Sequence, residues 1–165
     1  MQEICAEANI SAGALYRYFA SKADIIAAIA EDHRGESDVQ FLRTAEKEGL
    51  VPALCLAARN FFLKFAQGDG ALIADIFAEC IRDDALCASL RVTEERSVQL
   101  FTNAIAAAQA RGEIDVRLDA ADAADTLFAT IEGIGLRRAF RRETDPDAAV
   151  AQFCSFAERY LSPRP

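Results

Sequence analysis

The sequence predicts an all-α protein. Apolar residues recur at spacings of three and four along its 165 residues, sustained alternation of apolar and polar residues is absent, and no proline falls between Pro52 and Pro146. With 52% apolar residues the chain can bury one sizeable core. No internal repeat or low-complexity run interrupts the pattern.

The elements follow from local signals. Gln2 to Asn9 make a short helical stretch with Ile4, Cys5 and Ala8 as its apolar positions. It breaks at "NIS", because Asn9 tolerates a left-handed backbone and Ser11 can cap the next helix. That second helix is expected from Ala12 to about Tyr18, with Leu15 and Phe19 turned inward. Ser21 followed by Asp24 is an approximate capping box. It opens a helix with Ile25, Ile26 and Ile29 on one face, running to about Glu48, with Gly35 as a weak or bent point and Gly49 as its stop.

Pro52 suits the first turn of the next helix, which carries Phe61, Phe62 and Phe65 and ends at "GDG", Gly68 to Gly70. A helix over about Ala71 to Arg82 follows. Asp83 and Asp84 then start a long one closing at Gly112. Asp119 caps a helix to about Arg142, and Asp145 with Pro146 opens the last, which ends near Leu161. The result is six helices from Ser21 onward, two short ones before them, and a disordered tail, "SPRP".

Several function classes are disfavoured. The longest uncharged run, Ser97 to Ala110, is too short to span a bilayer, and the first residues carry no secretory signal, so a soluble cytoplasmic protein with no membrane partner is expected. Cys5, Cys55, Cys80, Cys87 and Cys154 are odd in number, widely spaced and free of any Cys-x-x-Cys pair. They predict reduced thiols acting as small buried hydrophobes, with a redox-sensing thiol as the alternative. The single histidine, His33, lacks a partner at ligand spacing, and no nucleophile-elbow, zinc-protease or P-loop motif occurs. No catalytic residue, metal or cofactor is therefore expected.

"ISAGALYRYFASK", Ile10 to Lys22, is the exception to a chain of net charge -8, since it holds one arginine, one lysine and no acid. Two short helices joined by a tight turn are the core of a helix-turn-helix. Ser11 and the free amides of the second helix can meet a phosphate, and Ala12, Gly13 and Ala14 let the backbone approach base edges. Tyr16, Arg17 and Tyr18 present phenol and guanidinium groups, and Lys22 can neutralise a further phosphate. Packing of a short aromatic helix is the competing explanation. "RRAFRR", Arg137 to Arg142, complements a helix C-terminus and is not expected to be a second such patch.

The stretch "ICAEANISAGALYRYFASKADII", Ile4 to Ile26, resembles the DNA-binding signature of the TetR family of bacterial transcription regulators, written "IAxxAGVSxGxLYxYFxSKxxL". Ser11, Gly13, Leu15, Tyr16, Tyr18, Phe19, Ser21 and Lys22 all fall in register. "AQARGEI" and "ATIEGIGLRR" are similar to the family's helix-ending glycine and dimerising helix. The resemblance implies phosphate contacts from Ser11, Tyr16, Tyr18 and Lys22, and base or near-base contacts from Ala12, Gly13 and Arg17. It implies a double-stranded operator, a homodimer and a small effector as partners. Measured against the family pattern, Met1 falls inside the second helix, so the expectation is an N-terminally truncated domain lacking its first helix, mobile or abnormally packed at its front.

In the body, Phe61, Phe62, Phe65, Phe77, Cys80 and Phe101 gather on one face. They are either plain core or, as the resemblance implies, a pocket for an apolar effector, with Asn60, Glu79, Gln99, Asn103 and Glu132 as candidate polar contacts. Phe128, Ile131, Gly135, Ala139, Phe153, Phe156 and Tyr160 on the last two helices either pack on the chain's own body or form the two-fold interface the resemblance favours. The expected division is residues 1–34, an incomplete helix-turn-helix and the start of a connector; 35–161, a six-helix regulatory domain dimerising through its last two helices; and 162–165, the tail. The function expected is a TetR-like regulator, usually a repressor, released by its effector. The alternative is a helical dimeric interaction protein, or a fragment without DNA binding.

Overall fold

The computed structural model describes residues 1–21, 24–25, 28, 35–143 and 145–163. Eight α-helices with defined bounds and one π-helical turn lie among them: α1 (Gln2–Glu7), α2 (Ala12–Tyr16), α3 (Gly35–Lys47), α4 (Leu50–Lys64), the π turn (Phe65–Asp69), α5 (Gly70–Cys80), α6 (Asp84–Ala110), α7 (Ala120–Phe140) and α8 (Pro146–Leu161); Asp24, Ile25 and Ala28 are helical as well. No strand occurs among the described residues. Ile26, Ile29, His33 and Lys22 lie outside the described residues, as do Arg164 and Pro165 of the expected tail.

The helix boundaries are set by side chains that satisfy orphan backbone groups. Ser21 and Asp24 form a reciprocal capping box: the Asp24 N–H donates to Ser21 Oγ (3.2 Å) and the Ser21 N–H to Asp24 Oδ2 (2.9 Å). Asp83 Oδ1 accepts from the Leu86 N–H at 3.1 Å. Asp119 accepts from Ala121 and Asp122, and Asp145 from Asp147 and Ala148 with Pro146 behind it in the first turn. Gly112 ends α6 with φ +74°, where the Glu113 N–H reaches Ala108 O (3.0 Å) and the Gly112 N–H reaches Gln109 O (3.0 Å). This is a Schellman cap, and glycine carries no steric penalty in it.

The break expected at Gly68 to Gly70 is absent. Helical backbone continues from Leu50 to Cys80 through the π turn. The physical cause is Phe65. Its ring lies over Gly70, where an added Cβ would sit 2.5 Å from a ring atom. A π turn places residues five apart above one another, so the glycine here seats a ring and does not terminate a helix.

The cysteine expectation also changes. Cys55 on α4 and Cys154 on α8 are joined in a disulfide across a sequence separation of 99, with Cα atoms 5.4 Å apart. Cys5 is buried, and Cys80 and Cys87 are half-buried.

α4 runs along α8 through the centre of the body, with α3 packed on α4 and α6 on α7. Ala53, Ala58, Ala108, Ala123 and Ala157 are fully buried, which lets these helices approach closely. Leu54, Phe62, Ile105, Leu127, Phe153 and Leu161 fill the space between them. The α6–α7 loop is pinned to the end of α8 by the Asp115 N–H donating to Leu161 O (2.9 Å). Gln109 Nε2 holds the same loop from inside through Asp115 O and Leu118 O.

The start of α4 is capped from a distance. Its N-cap, Gly49, has φ +100° and no side chain to offer, so the Leu50 N–H donates to Glu113 Oε2 (3.2 Å). The Arg111 guanidinium, hydrogen-bonded to Glu113, holds that carboxyl below the ordinary glutamate range. The Leu50 amide pulls the same way, and partial burial opposes both. A lowered folded-state value means stability that is present above the ordinary glutamate range and is lost as pH falls through the lowered value. Glu113→Ala is therefore expected to cost about 0.5–2 kcal/mol at neutral pH. Urea unfolding at neutral pH and at about pH 3 should show the gap to the parent narrowing in acid; a gap of constant size would contradict this role.

Candidate nucleic-acid interface and effector groove

The first site is built on α1 and α2. α1 ends in a Schellman cap whose left-handed residue is Asn9 (φ 53°): the Ile10 N–H reaches Cys5 O (3.0 Å) and the Asn9 N–H reaches Ala6 O (3.3 Å). Ser11 then caps α2, its Oγ accepting from the Ala14 N–H at 3.2 Å. Cys5 and Leu15 are buried against each other's helices, with Ile4 and Phe19 half-buried, while Ala8 is exposed. This small apolar seam fixes which face of α2 turns outward.

That outward face carries Ser11, Ala12, Gly13, Tyr16, Arg17 and Tyr18, all exposed. Tyr16 is 54% and Tyr18 79% exposed, unusual for large aromatics without a partner surface. Nothing lies within 4 Å of the position a Gly13 Cβ would take, so the backbone there is open to close approach. α2 is shorter than expected: Arg17 and Tyr18 stand on the turn that follows it, where the Tyr18 N–H still reaches Leu15 O (3.1 Å). "RRAFRR" behaves as a helix end. Arg138 Nη2 donates to Asp145 O (3.1 Å), and Arg138 pairs with Glu143 at 3.2 Å.

The six residues expected on one apolar face divide into separate groups. Phe61 contacts Phe62 (centroids 5.3 Å apart) and Phe65 (5.5 Å) along one side of α4. Phe101 belongs to another cluster, stacked on Phe41 at 4.4 Å and tilted against Phe128 at 4.7 Å. Phe77 is exposed on α5, and Cys80 stands at the end of α5 beside Cys87. Phe41 was missed because it lies on the expected connector, although Phe41 and Ala45 keep the spacing of an inward face. Of the candidate polar contacts, Gln99 Nε2 donates to Asn103 Oδ1 (3.0 Å) and Asn60 reaches Gln40 (3.5 Å) on exposed surface.

Phe62 and Phe65 instead line a groove of about 340 Å³ between the π turn and the α7–α8 connection. Its other walls include Gly70, Gly135, Arg138, Arg142, Glu143 and Asp145, so an apolar lining meets charged groups of both signs. Gly135 lies under the aromatic cluster, where an added Cβ would stand 3.0 Å from the Phe65 ring and 3.2 Å from the Phe61 ring. Phe65 is thus held between two glycines.

Residues expected at a subunit interface fall in different layers. Phe153, at 2% exposure, and Gly135 are buried in the chain's own body. Phe128 and Ile131 are half-buried against that body, and Ala139 is exposed at the groove. Phe156 and Tyr160 are half-buried and stack on each other at 5.4 Å. Among the described residues no helix is long and apolar enough to cross a membrane, and no cluster of three or more His, Cys, Asp or Glu could hold a metal.

Comparison with known proteins is consistent with this arrangement. Residues 1–29 match the model for bacterial regulatory proteins of the tetR family, and residues 63–162 match that for the C-terminal part of BetI-type transcriptional repressors. Among solved structures the chain is similar to Salmonella enterica GusR, with 25% identity over 98% of this chain and 83% of that one and a TM-score of 0.76. It shares the fold of a protein titled as a TetR-family transcriptional regulator from Rhodococcus sp. (20% identity, 97% and 86% of the two chains, TM-score 0.70). No curated protein matches.

Proposed function

Because the chain belongs to the TetR family of bacterial transcriptional regulators, we propose that it is a repressor that holds an operator through the exposed face of α2 and releases it when a small apolar effector enters the body. The observation that carries this is the row Ser11, Ala12, Gly13, Tyr16, Arg17 and Tyr18, exposed together on a capped helix and the turn that follows it, in a segment whose only charges are positive. Ser11, Tyr16 and Tyr18 meet phosphates, Ala12 and Gly13 lie against base edges, and Arg17 pairs with the O6 and N7 of a guanine. Lys22, outside the described residues, belongs to the same proposal as a phosphate contact.

Residues 1–34 act as the DNA-binding region, 35–161 as the effector-binding and dimerising body, and 162–165 as a tail. The homodimer brings two copies of α2 to successive major grooves, about 34–36 Å apart. The reading places the protein in the cytoplasm and assigns it no catalytic step. The groove over Phe62 and Phe65 is the proposed effector seat, and its filling moves α4 and α8 together. α3 packs on α4, and in this reading a shift there is passed on to the DNA-binding region and alters the spacing of the recognition helices.

Arg17→Ala is expected to weaken operator binding by about 1–3 kcal/mol and to relax preference at one base pair. Binding-site selection followed by titration with the parent and Arg17→Ala proteins checks both. An unchanged base preference sinks the assignment of Arg17, and no sequence-dependent binding by the parent sinks the repressor reading.

A further inference from the structure

Cys80 and Cys87 play no part in the reading above. Cys80 is the last residue of α5 and Cys87 lies one turn into α6, so the three-residue turn between the helices folds one towards the other. That turn is tightly held: the Asp83 N–H reaches Glu79 O (2.8 Å), the Cys87 N–H reaches Asp83 O (3.0 Å), and Asp83 Oδ1 accepts from Leu86. The Cys87 side chain lies close enough to the Cys80 thiol to disfavour its deprotonation. Arg91, one turn further along α6, donates through Nη2 to Cys87 Sγ at 3.9 Å. Both cysteines are half-buried, and the neighbouring Ile81 is 86% exposed, so solvent reaches the turn.

We propose that Cys80 and Cys87 form a peroxide-reactive dithiol, a modification site in which Cys87 attacks the oxidant and Cys80 resolves the product as an intramolecular disulfide. The Cys87 thiolate attacks one oxygen of a hydroperoxide. The S–O bond forms as the O–O bond breaks, hydroxide or alkoxide leaves, and Cys87 becomes a sulfenic acid. Cys80 sulfur then attacks Cys87 sulfur; the S–S bond forms, the S–O bond breaks, and the Cys80 proton leaves with the hydroxyl as water. The Arg91 guanidinium stabilises negative charge on Cys87 during the first step.

Burial, followed by the nearby Cys87, Glu94 and Asp83, raises the pKa of Cys80, which suits it to wait as a protonated partner. The sequence adds a practical advantage, because Arg82 separates the two cysteines. Tryptic cleavage leaves Cys80 and Cys87 on different fragments, residues 65–82 and 83–91, neither of which carries another cysteine. This proposal does not depend on the reading of α2.

The test is to treat the intact protein with a small excess of hydrogen peroxide, block remaining thiols and map tryptic fragments without reduction. The expected product is fragment 65–82 joined to 83–91 within one chain. Cys80→Ser should leave Cys87 trappable by dimedone as a sulfenic acid, and Cys87→Ser should leave Cys80 unmodified over the same time. Arg91→Gln should slow linkage about threefold. Both fragments recovered as blocked thiols, or linkage only between different chains, overturns the proposal. Equal oxidation of Cys80 in Cys87→Ser overturns the assigned roles.

Discussion

Phe153→Ala is expected to destabilise the folded chain by about 3–5 kcal/mol, the range for deleting a large aromatic from a close-packed interior. Phe153 is only 2% exposed and lies in the same cluster as Leu54, Leu127, Ala157 and Leu161. Its removal takes away both the transfer energy of the ring and the contacts of everything around it, because α4 and α8 cannot close fully over the void. Tyr160 is the control. It is only half-buried and stacks on Phe156 at 5.4 Å, so Tyr160→Ala should cost clearly less within one chain. Urea unfolding of both variants at several protein concentrations separates a core role from an interface role. A Phe153→Ala loss below about 1 kcal/mol, or a loss that vanishes as the protein is diluted, would place the ring at a subunit contact instead.

That contrast explains how far the sequence could be read. Helix ends were legible because they are local: Ser21 with Asp24, Asp119, Asp145 with Pro146, and Gly112 each act within a few residues of where they stand. The outward row was legible for the same reason: Ser11 caps α2 and Leu15 turns inward, which leaves Ser11, Ala12, Gly13 and Tyr16 outward, although α2 ends at Tyr16 and not at Tyr18. Periodicity does not reveal what a buried face meets. Phe153 and Phe156 both keep apolar spacing on α8, yet one is enclosed by its own chain and the other is half-open. The Cys55–Cys154 pairing spans 99 residues and leaves no trace in local spacing. Gly68 to Gly70 carried the usual mark of a helix break, but Gly70 is a seat for Phe65, and only the tertiary placement of that ring distinguishes the two roles.

Gly135→Leu is expected to cost about 3 kcal/mol, near the upper end of overpacking penalties. A Cβ alone would press on the Phe65 ring at 3.0 Å and on the Phe61 ring at 3.2 Å. Phe65 has no simple retreat, because its other side already lies against Gly70, where the margin is smaller still. The leucine must therefore push the ring into the groove or part α7 from α4, and either movement breaks the packing that the π turn maintains. The loss should depend on that ring. Phe65→Ala alone opens a void, but combined with Gly135→Leu it gives the new side chain somewhere to go, so the double variant should be more stable than the sum of the two single losses implies. A double-mutant cycle by urea unfolding, with groove occupancy followed by an environment-sensitive apolar dye, measures the coupling. Additive losses would show that Gly135 and Phe65 do not share a slot. Strong coupling together with lost dye binding would identify the slot between the two glycines as the floor of the effector groove.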